Sequence, residues 1–147
     1  MNSSPAKALV IDAGVGFRLL VPYPAQESLR SRLEVALANG FRLYAPTLWR
    51  YELTTIFTKA VHFKQMSAVD ARTALQLSLE LVIELVQPDP ILAMSAFDWT
   101  LKLGRAAAYG SFYLALAQRY ACELWTVDRR LFNAAGESWI RYLGEPE

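Results

Sequence analysis

Five short apolar runs alternate with longer segments of helical spacing, and this alternation leaves few folds open to the chain. The runs lie at residues 7–11, 41–44, 82–86, 122–127 and 139–143. Each has strand length, and apolar runs of that length fit strands buried inside a sheet. Helical spacing occupies residues 14–20, 25–38, about 46–64, 67–81, 91–103, 110–120 and 129–135. Asn39-Gly40 and Gly104 supply helix stops, Ser67 a plausible cap, and Pro46 sits near a helix start. Strands alternating with helices predict an α/β domain, a short parallel sheet of four or five strands with helices on both faces. The run at 139–143 is expected at an edge of that sheet.

The bulk numbers agree with one folded unit. A length of 147 residues is that of one ordinary domain, and no linker, charge block or repeat divides it, so residues 1–147 are read as a single domain. With 54% hydrophobic and 20% charged residues, a sizeable core forms and global disorder is excluded. A net charge of +1 excludes a wholly basic surface, so any phosphate contact must come from a local cluster. The lone Cys122 forms no internal disulfide and reads as a small buried hydrophobe in a reducing compartment. The single His62, on a polar helix face, rules out a His-rich metal site. The stretch Met1–Pro5 lacks a signal-peptide pattern, and no apolar run reaches the ~20 residues of a membrane span. A soluble cytoplasmic protein without a membrane partner is expected.

Three acids stand out from this background. Asp12 closes the first apolar run and Asp128 the fourth. Ligands gather at the carboxyl ends of parallel strands, so these two acids suggest a shared acidic pocket and a divalent metal. Glu52 falls among Leu48, Trp49, Leu53, Ile56, Ala60 and Phe63 when residues 48–63 are projected at the helical period. A carboxylate on an apolar face must be paired or metal-bound. Plainer readings stand beside each: Asp12 and Asp128 as helix N-caps, and Glu52 as a core-edge residue bridged to an arginine. Glu84 and Asp89, flanking the third run, are weaker candidates. Gly14-Val15-Gly16 lacks the rest of a nucleotide-binding fingerprint, and no Ser or Cys nucleophile has a supporting base.

Four motifs in order resemble the PIN-domain family, particularly the ribonuclease toxins of type II toxin–antitoxin pairs. They are Val10-Ile11-Asp12-Ala13, then Ala45-Pro46-Thr47-Leu48 with Glu52 following, then Ala108-Tyr109-Gly110-Ser111-Phe112-Tyr113-Leu114-Ala115-Leu116-Ala117, and Leu124-Trp125-Thr126-Val127-Asp128-Arg129-Arg130-Leu131. The resemblance implies a three-layer α/β/α PIN-like domain. It implies Mg²⁺ or Mn²⁺ held by carboxylates that cut RNA, with Asp12, Glu52 and Asp128 matching three of the usual four acids. The fourth position, directly after Tyr109, is Gly110 instead of Asp. Ser111 beside it is an auxiliary candidate through its hydroxyl, with an N-cap as its plainer use.

Two functions follow. The first is a metal-dependent endoribonuclease of PIN type, a toxin, weakened by the missing carboxylate. Asp12 and Asp128 would be metal ligands, Glu52 would bind metal or orient water, and Arg129 and Arg130 would contact RNA phosphates. An acid restored at position 110 is expected to strengthen metal binding. The alternative is a catalytically inactive PIN module that binds RNA or a protein partner. The resemblance also implies a homodimer and a small antitoxin protein as partner.

Overall fold

The computed structural model describes residues 5–145; residues 1–4, part of the stretch read for a targeting signal, lie outside them. In chain order the elements are β1 (Ala8–Ile11), α1 (Ala13–Leu20), α2 (Gln26–Ala38), β2 (Arg42–Pro46), α3 (Leu48–His62) and α4 (Ala68–Leu79). There follow β3 (Ile83–Val86), α5 (Pro90–Leu103), α6 (Tyr109–Arg119), β4 (Glu123–Thr126), α7 (Arg129–Ala135) and β5 (Ile140–Tyr142). The sheet has five parallel strands in the order β3-β2-β1-β4-β5. The α/β class, the parallel sheet and the edge position of the last strand are as the sequence implies.

Strand order sets where a site can form. The chain moves outward from β1 through β2 to β3, then returns to the other side of β1 for β4 and β5. Right-handed crossovers therefore send the two halves' helices to opposite faces. Helices α1, α3 and α4 pack on one another, while α6 crosses β1, β2 and β4 with α5 against it. The reversal falls between β1 and β4, and a crevice opens beyond their carboxyl ends.

Burial follows the same plan. All of β1 is buried, as are Leu43–Pro46 of β2 and Leu124–Thr126 of β4, while β3 at the edge is only partly covered. Trp49, Leu53, Phe57 and Ala60 form the buried stripe of α3. Gly16 lets α1 approach that stripe, because a methyl group there would collide with the Trp49 ring. Phe63, expected in the apolar arc, is instead the exposed C-cap of α3. Pro46 ends β2 rather than starting the helix. As the last strand residue it interrupts no further ladder bond.

The second helix layer is pinned by an ion pair. Asp89 caps α5, its Oδ1 accepting from the Leu92 N–H at 2.7 Å. Both its carboxylate oxygens also accept from Arg119 at the end of α6, at 2.9 and 2.7 Å. Glu84, the other weaker acidic candidate, is exposed on β3. Hydrogen bonding from Arg119 lowers the Asp89 carboxyl from its ordinary 3.8 to about 2. A carboxyl lowered by folding stabilises the protein above its unfolded value, and that contribution is lost as the pH falls toward the folded one. Asp89→Asn keeps a helix cap and removes the charge. Denaturant titrations between pH 6 and pH 2 are expected to show a steeper acid loss in the wild type than in Asp89→Asn. Parallel losses would contradict the clamp.

Candidate functional site

Each acidic side chain is placed by local backbone logic. β1 ends at Ile11, and Asp12 turns the chain into α1 as its N-cap, with Oδ1 accepting from the Val15 N–H at 2.9 Å. β4 ends at Thr126, and Asp128 does the same for α7, with Oδ1 accepting from the Leu131 N–H at 3.0 Å. Both plain readings from the sequence therefore hold, and they leave one oxygen of each carboxylate for other work. Glu52 lies one turn into α3, partly buried, with Oε1 accepting from the Tyr113 hydroxyl at 2.7 Å. Among the described residues no arginine bridges it.

The three acids line one cavity of about 470 Å³ beyond the ends of β1 and β4, together with Gly14, Arg105, Tyr109, Gly110 and Tyr113. Thr126, fully buried, ties its floor together. Its hydroxyl donates to Asp12 Oδ2 and accepts from the Asp128 N–H, the latter at 2.9 Å. Burial pushes the Asp12 carboxyl up to about 6, against the lowering effect of the Thr126 and backbone hydrogen bonds, and the Glu52 charge adds to the rise. Burial also raises Glu52, opposed by the Tyr113 hydrogen bond. Tyr113, buried beside both acids, is held well above its ordinary value.

Asp128 is served differently. Arg105, in the loop before α6, places Nη1 at 3.4 Å from Asp128 Oδ2. A Cβ added at Gly110 would stand 3.6 Å from that Nη1 and 3.5 Å from Leu131 Cδ1. Among the described residues, no three His, Cys, Asp or Glu side chains form a group that could hold a metal ion. The donor set is thus split. Asp12 and Glu52 are both made costlier to ionise by burial, with a small added rise at Asp12 from the Glu52 charge, and neither forms an ion pair among the described residues, whereas Asp128 does.

Several sequence candidates lie elsewhere. Ser111 is buried, and its hydroxyl accepts from Thr100 Oγ1 at 2.8 Å across the α5–α6 contact. It is not the cap of α6, which starts at Tyr109 after Ala108 and has no side-chain cap. Arg129 turns toward the C-terminal segment. Its guanidinium lies 4.7 Å from the Tyr142 ring centroid and donates to the Tyr142 hydroxyl and the Glu145 carbonyl. Arg130 is exposed and does not line the cavity. Arg105 carries no sequence signal because it stands in a loop without periodicity, while Thr126 and Tyr113 lie inside the motif segments with nothing in the sequence to single them out. A larger cavity of about 810 Å³ opens at the amino-terminal edge of the sheet. Its one acid, Glu123, is bonded to Arg141 at 2.7 Å. Cys122 lines that cavity, and burial raises its thiol to about 11, away from reactivity.

Solved structures share this architecture. PAE2754 from Pyrobaculum aerophilum is 18% identical with a TM-score of 0.64, covering 93% of this chain and 91% of that one. FitAcB from Neisseria gonorrhoeae is 18% identical with a TM-score of 0.64, covering 90% and 95%. VapC20 from Mycobacterium tuberculosis, a sarcin-ricin loop cleaving toxin, is 13% identical with a TM-score of 0.60, covering 90% and 98%. No family model and no curated protein matches the chain. The likeness establishes the fold, which is PIN-like.

The Asp12 environment generates a pH prediction. A carboxyl raised by folding stabilises most when protonated, below its ordinary 3.8, and that stability is lost as the pH rises through about 6. Asp12→Asn removes the ionisation while retaining a cap. It is expected to be more stable than the wild type by about 1–3 kcal/mol at neutral pH, with the difference vanishing toward pH 4. Thermal melts at the two pH values check this; a variant less stable at neutral pH would contradict it.

Proposed function

We propose that the chain is a metal-dependent PIN-type endoribonuclease of the toxin–antitoxin kind, with its cation site reduced to Asp12 and Glu52. The observation that carries this reading is the convergence of those two burial-raised carboxylates in one pocket at the switch point, neither of them in an ion pair among the described residues. Mg²⁺ keeps several waters and often uses only one or two carboxylates, so the absence of a three-acid group is compatible with binding. A cation bound there supplies Lewis-acid polarisation of a phosphoryl oxygen and an acidified water.

The chain's own groups do the positioning. Val15 and Thr126 hold Asp12, and Tyr113 holds Glu52, so both carboxylates are oriented before any ligand arrives. A groove of about 650 Å³ shares Glu52 and Tyr109 with the pocket and runs along α3 past Tyr51 and Lys59. Tyr51 and Tyr109 are 76% and 66% exposed, enough to offer ring faces to unpaired bases, and Lys59 offers a charge to a phosphate. VapC20 is a sarcin-ricin loop cleaving toxin, and that supports an RNA target here. FitAB, which shares this fold, has been solved bound to a DNA fragment, which supports an assembly with a partner protein at nucleic acid. Ile91, Met94, Phe97 and Leu101 stand exposed on one side of α5, a surface suited to a second copy of the chain.

A second reading is a catalytically inactive module that binds RNA or a protein. Gly110 and the Arg105–Asp128 pair favour it, because together they take two of the four motif positions out of metal binding.

Cleavage of structured RNA by nuclease-free protein distinguishes the two. Mn²⁺- or Mg²⁺-dependent cutting is expected, stopped by EDTA and reduced at least ~100-fold in Asp12→Asn. Equal cutting by wild type and Asp12→Asn would remove the metal mechanism. No cutting by either would give the lead to the inactive module.

A further inference from the structure

We infer that Arg105 is a built-in counter-ion that competes with a divalent cation for Asp128, and that a side chain at position 110 would face this guanidinium. The inference rests on the reading that this pocket takes a divalent cation.

The geometry has three parts. The Arg105 guanidinium stands 3.4 Å from Asp128 Oδ2, the oxygen not used to cap α7. The pair is partly shielded, with side chains 26% and 43% exposed, so it is neither a bare surface contact nor a buried one. Position 110, where the resembling motif has an acid, faces Arg105 rather than open space, at 3.6 Å from a Cβ built there. A carboxylate at 110 would therefore reach the guanidinium before it reached a cation beside Asp12. The expectation that an acid restored at 110 strengthens metal binding by itself is thus revised: the new carboxylate pairs with Arg105.

The physical consequence is a competition between two cations for one oxygen. Asp128 neutralised by Arg105 is a poor ligand for a second cation, since binding would require the guanidinium to leave and its hydrogen bond to be lost. Removing the guanidinium leaves Asp128 Oδ2 open to a cation in the pocket. Gly110 has no positive φ, and its neighbours leave ordinary contact distance, so an aspartate there is tolerated by the backbone and favoured by its place in the first turn of α6.

Calorimetric titration with Mn²⁺ alone, at neutral pH and fixed ionic strength, tests this on four proteins: wild type, Arg105→Ala, Gly110→Asp and the double variant. Arg105→Ala is expected to bind at least about 5-fold tighter than the wild type, through the added carboxylate. Gly110→Asp alone should stay within about twofold of the wild type, and the double variant should exceed the product of the single changes. Circular dichroism confirms folding in each case, and Arg105→Gln replaces Arg105→Ala if that variant does not fold. Tightening beyond threefold by Gly110→Asp alone, no gain on removing Arg105, or no binding by any of the four overturns the inference. A wild type that binds no Mn²⁺ beside an Arg105→Ala that does would sustain it while counting against the metal-dependent nuclease.

Discussion

The hydroxyl of Thr126 joins the ends of the two central strands, and the pocket depends on that junction. β1 and β4 lie side by side in parallel, so Asp12 and Asp128 leave the sheet at the same edge. Thr126 donates to one and accepts from the backbone of the other, with no exposure of its own. A buried hydroxyl with both roles filled fixes the distance and tilt of its neighbours, because leaving either role empty would cost about 1–3 kcal/mol. The crevice is therefore a property of strand order and of one side chain, and the helices capped by the two aspartates inherit their directions from it.

Charge in the pocket follows from what each acid meets. Asp12 and Glu52 meet dipoles, a threonine, a tyrosine and backbone N–H groups, and stay costly to ionise. Asp128 meets a guanidinium. Three carboxylates that share a lining thus differ in their partners, and the difference is set by a loop residue rather than by the strands. Preorganisation is strong on the Asp12–Glu52 side, where Tyr113 and Thr126 already hold the oxygens in place.

The sequence made much of this legible. Apolar runs bounded by turn residues mark all five strands, and Asp12, Ser67 and Asp128 cap helices as their positions suggest. Glu52 was visible because a carboxylate on an apolar helical arc demands a partner, and Tyr113 is that partner. Ser111 misled because a serine near a helix start resembles a cap, whereas α6 begins two residues earlier and turns Ser111 inward to Thr100. Adjacency to Asp128 in sequence does not aim a side chain, and on α7 Arg129 points to Tyr142. Arg105 stands 23 residues from Asp128, in a loop whose path no periodicity predicts, so its ion pair was invisible.

The most direct test of this account is a crystal structure of the protein soaked in Mn²⁺, read by anomalous scattering. The account predicts one site contacted by Asp12 and Glu52, completed by water, with the Arg105–Asp128 pair intact. A manganese ion ligated by Asp128 with Arg105 displaced, or no anomalous peak in the pocket at saturating Mn²⁺, would contradict it.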